Sequence, residues 1–96
     1  MPRSPRSGSH THTAAPTLAQ ARRLSQQRPH DPRVWKDLGD AQLHSHPEQA
    51  LASFEQALRL SPDEPQAMEL VAKAAQKLGQ ADRALELIHR ALLIDP

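Results

Sequence analysis

Residues 31–62, DPRVWKDLGDAQLHSHPEQALASFEQALRLSP, and residues 64–96, EPQAMELVAKAAQKLGQADRALELIHRALLIDP, are one pattern written twice. At an offset of 33 residues, Pro32 falls on Pro65, Trp35 on Met68, Leu38 on Val71, Gly39 on Ala72 and Ala41 on Ala74. At an offset of 34, Ala50 falls on Ala84, Leu51 on Leu85, Phe54 on Ile88, Ala57 on Ala91, Leu58 on Leu92 and Pro62 on Pro96. Size and type agree at each pair, and a period within roughly 20–50 residues signals units that stack on one another. The change of offset places a one-residue deletion in the first unit near Ser45, where the second unit has Leu78-Gly79.

Each unit reads as two helices. Asp31-Pro32 supplies a capping carboxylate followed by a ring preset for the first helical turn, and Val34, Trp35, Leu38, Ala41 and Leu43 run down the helix that follows. Ser45-His46-Pro47-Glu48 fits a capping box, which predicts the next helix start at Ser45. That helix carries Ala50, Leu51, Phe54, Ala57 and Leu58, a stripe broad enough to be covered from more than one side, and stops at Ser61-Pro62. Glu64-Pro65 opens the following helix as Asp31-Pro32 did, Leu78-Gly79 closes it with a left-handed cap, and a last helix runs from about Ala81 to Ile94. Upstream, Leu18, Ala21 and Leu24 predict a short helix from Thr17 that Pro29 stops.

Composition agrees with an all-α chain. There are 15 Ala and 13 Leu against 2 Val and 2 Ile, so the residues that enter helices cheaply far outnumber those that favour strands. Residues 1–16, MPRSPRSGSHTHTAAP, hold almost nothing apolar to offset a backbone ordering cost of about 1–2 kcal/mol per residue, and are expected to be disordered. The domain division expected is a tail at 1–16 and a helical repeat domain at 17–96, made of a half repeat at 17–29 and repeats at 31–62 and 63–96. A length of 96 residues admits one small domain and excludes a two-domain enzyme or a transporter. With no Cys there is no disulfide, thiolate metal site or thiol nucleophile. No apolar run approaches the roughly 18–20 residues of a membrane span or the leader of a secreted chain, so a cytoplasmic protein with no membrane contact is expected.

Trp35, Leu38, Gly39, Ala50, Phe54, Ala57 and Pro62 stand where the tetratricopeptide repeat family has its Trp, Leu-Gly, Ala, Phe, Ala and Pro. Met68, Val71, Ala72, Ala84, Ile88, Ala91 and Pro96 repeat the pattern, so residues 32–96 resemble that family, with about two full repeats and a preceding half repeat. The resemblance implies a right-handed stack of antiparallel helix pairs, an α-solenoid of about five helices. Two departures are visible. The family's aromatic in the first helix of each repeat is replaced by Gln42 and Ala75, which is expected to loosen packing within each unit, and the first unit is one residue short.

Candidate chemistry is sparse. His10 with His12 and His44 with His46 are the nearest His pairs; each lacks a third ligand held by structure, so no metal site is assigned. No nucleophile elbow, phosphate loop or inward carboxylate pair appears, and the chain is expected to be neither an enzyme nor a cofactor carrier. Residues 1–30 contain five Arg and no acid, while residues 31–96 hold seven basic against eleven acidic groups. That thin basic field has no aromatics interleaved for base stacking, which disfavours nucleic acid as a partner.

Another protein or peptide is therefore the expected partner. The resemblance implies that the first helix of each pair lines a concave groove. Its groove-facing side chains here are Arg33, Lys36, Asp37, Asp40, Leu43 and His44 in the first unit. In the second they are Gln66, Glu69, Leu70, Lys73, Gln76 and Lys77. Some members hold a peptide carboxylate with a Lys and an Asn one turn apart; Lys36 is in place but Asp40 stands where the Asn would be, so a partner with mixed or basic charge is expected. Lys36 with Asp40 and Glu69 with Lys73 also fit plain i, i+4 surface pairs. Since no polar capping helix follows residue 94, the Leu85, Ile88 and Leu92 surface is expected to be bare. The alternatives are an N-terminal repeat segment of a longer, possibly enzymatic, protein, or a homo-oligomer that self-associates through that face.

Overall fold

The computed structural model describes residues 15–96. Most of the tail expected to be disordered, with Arg3, Arg6, His10 and His12, lies outside the described residues. Five helices follow one another: α1 at Leu18–Gln27, α2 at Pro32–Gln42, α3 at Pro47–Leu60, α4 at Pro65–Lys77 and α5 at Ala81–Ile94, with no strand among the described residues. Each packs on its neighbours in the chain. The pairs α2–α3 and α4–α5 have the most extensive contact, α3 joins them by packing on α4, and α1 lies against α2.

Local signals set most of the boundaries. Asp31 caps α2, its Oδ1 accepting from the Arg33 backbone N–H at 3.0 Å. Thr17 and Gln20 form a reciprocal capping box at α1, with Gln20 N to Thr17 Oγ1 at 3.2 Å and Thr17 N to Gln20 Oε1 at 3.0 Å. Gly79 has φ +79°, and the N–H groups of Gly79 and Gln80 return to the carbonyls of Gln76 and Ala75, which closes α4 in a Schellman motif.

The box expected at Ser45 does not form. His46 is the cap of α3, makes no side-chain capping bond, and leaves the helix to start at Pro47. A box on Ser45 would need His46 in helical geometry, which the ring of the next proline disfavours; its φ and ψ are −138° and 69°. Glu64 precedes Pro65 in the same way and also gives no capping bond. The one-residue deletion is taken up at the end of α2. That helix has 11 residues to the 13 of α4, and its turn closes through His46 N to Gln42 O at 2.7 Å instead of through a glycine.

The core runs along the stack. Phe54 and Ala50 of α3 are fully buried and share one apolar cluster with Met68, Val71, Ala72 and Ala75 of α4 and Leu87 of α5, and Ala57 of α3 is fully buried as well. Gly39 is required by this packing: a Cβ there would overlap the edge of the Phe54 ring. Leu43, expected in the groove, belongs to this core at 8% exposure. Trp35 is half-buried, its indole N–H donating to the Pro29 carbonyl at 2.9 Å.

The two positions that lack the family aromatic are both buried. Gln42 is buried, its Oε1 accepting from Ser53 Oγ at 2.7 Å and its Nε2 donating to Gln49 at 3.4 Å. Ala75 is fully buried. Gln42 is thus held in a polar pair with Ser53, and Ala75 lies within the apolar cluster.

Candidate functional site

Between α2 and α4 lies a concavity of about 290 Å³, lined by Arg33, Lys36, Asp37 and Asp40 from one helix and Gln66 and Leu70 from the other. All six are among the groove-facing residues that the resemblance implies. The spacing 33, 36, 37, 40 puts those four side chains on one face of α2, and Gln66 and Leu70 face them by the same i, i+4 rule on α4.

Its charges are unevenly engaged. Lys36 Nζ donates to Glu64 Oε1 at 2.8 Å and Gln66 Oε1 at 3.0 Å, with only 13% of its side chain exposed. That ammonium ties the start of α4 to the middle of α2. The Arg33 guanidinium turns back on its own cap, with Nε to Asp31 Oδ1 at 3.2 Å and the terminal nitrogen to Oδ2 at 3.1 Å. This fork holds the Asp31 carboxyl below the ordinary Asp range and raises Arg33.

Asp40 behaves in the opposite sense. Partial burial pushes its carboxyl above the ordinary value, neighbouring Asp37 pushes the same way, and Lys73 opposes both. Both cations of the cavity are thus paired internally, while Asp37 and Asp40 lie on one face close enough to repel. The cavity presents its acidic side to a ligand.

The remaining expected groove residues lie elsewhere. Glu69, Lys73 and Gln76 line a second concavity of about 360 Å³ between α4 and α5, together with Ala72, Ile88 and Leu92. His44 is exposed on the turn after α2, and Lys77 is exposed in the last turn of α4. Leu85, Ile88 and Leu92 are 55%, 38% and 53% exposed, and Leu93 and Ile94 extend the bare strip. Sequence reasoning missed Glu64 as the partner of Lys36, the Gln42–Ser53 pair and the Arg83–Glu55 ion pair linking α5 to α3. Glu64 was legible as a cap only, because its long-range partner is 28 residues away.

Residues 44–96, more than half of the chain, match the model of the tetratricopeptide repeat. The chain belongs to the tetratricopeptide repeat family. The matched stretch covers α3, α4 and α5, and the same pattern continues upstream through α2 at the 33-residue offset. Tetratricopeptide repeats generally mediate protein–protein interaction and are typically non-catalytic. No curated protein matches this tetratricopeptide chain. No helix among its described residues is long and apolar enough to cross a membrane.

Proposed function

We propose that this tetratricopeptide protein is a non-catalytic interaction module that holds a peptide or protein segment in the concavity between α2 and α4. The observation that carries this reading is the convergence of Arg33, Lys36, Asp37, Asp40, Gln66 and Leu70 on one open cavity of about 290 Å³. Lys36 is engaged by Glu64 and Arg33 by Asp31, which leaves Asp37 and Asp40 to meet a basic side chain of the bound segment. Leu70, half-buried in the cavity lining, gives the segment an apolar contact. The acidic lining selects partners by charge, and it repels segments with acids at the same place.

Reversing both carboxylates with Asp37→Lys and Asp40→Lys tests this. The expected outcome is at least about a tenfold fall in recovery of a partner captured by the unaltered chain, with capture by the latter weakening as salt rises. Unchanged recovery places the binding surface outside this cavity.

A further inference from the structure

The α2–α4 cavity owes its acidity to groups outside its lining. Arg33 and Lys36 are its cations and Asp37 and Asp40 its anions, so the wall by itself is balanced. Asp31 pairs with Arg33, Glu64 pairs with Lys36, and Lys73 of α4 acts on Asp40. Together these set Arg33, Lys36 and Lys73 against Asp31, Asp37, Asp40 and Glu64, which leaves one carboxylate in excess. The two outer carboxylates differ in grip. Asp31 holds an Arg33 side chain that is 77% exposed, and a pair so open to water is screened and contributes little. Glu64 holds Lys36, whose side chain is 13% exposed and whose Nζ also donates to Gln66 Oε1 at 3.0 Å. The field of an ammonium so withdrawn from water is screened less, and it reaches the cavity unless a nearby anion offsets it.

Asp31 and Glu64 stand at the same place of the repeat, 33 residues apart. Asp31 caps its own helix, its Oδ1 accepting from the Arg33 backbone N–H. Glu64, one methylene longer, gives α4 no capping bond and instead meets Lys36 of the preceding unit at 2.8 Å. The longer acid forgoes the local bond that the shorter one makes, and its charge is placed on the one cation of the cavity that is mostly withdrawn from solvent.

We propose that Glu64 is a specificity-determining residue of this site: by offsetting Lys36 it makes the α2–α4 cavity prefer a segment with a basic side chain over one with an acid. This rests on the reading of that cavity as the binding site and adds the group that sets its sign. Glu64 is outside the lining and acts through Lys36, with no contact of its own to the bound segment. Without its charge the remaining cations and carboxylates balance, and the basis for rejecting an acidic segment is gone.

The test is an NMR titration of the full chain with two blocked peptides, acetyl-Gly-Lys-Leu-Lys-Gly-amide and its counterpart with Glu in place of each Lys. The unaltered chain is expected to bind the lysine peptide about fivefold more tightly at low salt, with the gap closing in about 1 M salt. Glu64→Gln, which keeps the side chain's length and an acceptor for Lys36, should erase that preference. Adding Lys36→Met to Glu64→Gln removes the uncovered cation and should restore the preference to within about twofold of the parent. A purely structural tie predicts the reverse, because the double variant lacks the tie as well, so a preference that stays lost there overturns the assignment. So does Glu69→Gln, which removes a charge of α4 outside this cavity, if it erases the preference as fully as Glu64→Gln, since net charge is then the cause. A preference unmoved by Glu64→Gln but lost in Asp37→Lys with Asp40→Lys overturns the role of Glu64 and leaves the cavity standing. If the unaltered chain does not distinguish the two peptides, the reading of the cavity fails and the role of Glu64 falls with it.

Discussion

Phe54 and Ile88 stand at equivalent places in α3 and α5, yet Phe54 is sealed from solvent and Ile88 is 38% exposed. Nothing in either helix alone accounts for this, since both carry Ala three residues later and Leu four residues later. The difference is α4, which lies across one pair, while no helix among the described residues lies across the other. In a stacked architecture the burial of a residue depends on the next unit as much as on its own, so identical patterns carry different energies at different places.

The interior of the two pairs offers a second contrast. Gln42 and Ser53 meet across α2 and α3, and the equivalent residues across α4 and α5 are Ala75 and Leu87. A long polar residue faces a short one in the first unit; a short apolar residue faces a long one in the second. All four residues are buried, the first pair joined by a hydrogen bond and the second lying in the apolar cluster.

The strongest way to break the comparison is Phe54→Ala beside Ile88→Ala. Removing the sealed ring should cost about 3–5 kcal/mol in denaturant unfolding, and truncating the half-open Ile about 1 kcal/mol. Equal losses would mean that α4 does not distinguish the two faces. A smaller effect is expected from exchanging the interior pairs. Gln42→Ala alone strands the Ser53 hydroxyl, Ser53→Leu alone overfills the contact, and each should cost about 1–3 kcal/mol. The double variant recreates Ala75 with Leu87 and should recover most of the loss; additive penalties would show that the two units pack differently.

The smallest effect concerns Asp40. Because its carboxyl titrates above the ordinary value in the folded chain, the folded state holds that proton more tightly than the unfolded one. Its favourable contribution is therefore present at low pH and lost as pH rises through the raised value. Asp40→Asn should give a slightly higher melting temperature at pH 7 and no gain at pH 3, and a variant less stable than the parent at pH 7 would contradict the sign.

Much of the fold was legible because its determinants are local. Pro32, Pro47 and Pro65 each begin a helix, Gly79 ends one, and the paired offsets place the stack. Even the failure at Ser45 has a local cause, since the proline two residues on forces His46 to be the cap. The candidate site was legible only as a set of residues. Six of them converge on one cavity, while Glu69 and Lys73 lie in another because α4 has two open sides.

By itself the sequence determined the helices, their order and the repeat, because helix periodicity, capping and proline geometry act over a few residues. Which charges stay free was decided by tertiary structure: Lys36 is engaged by Glu64 across 28 residues of chain, and Asp40 is perturbed by burial and by Lys73 on α4. Electrostatic and packing energies fall off with distance in space, and distance along the chain does not reveal them.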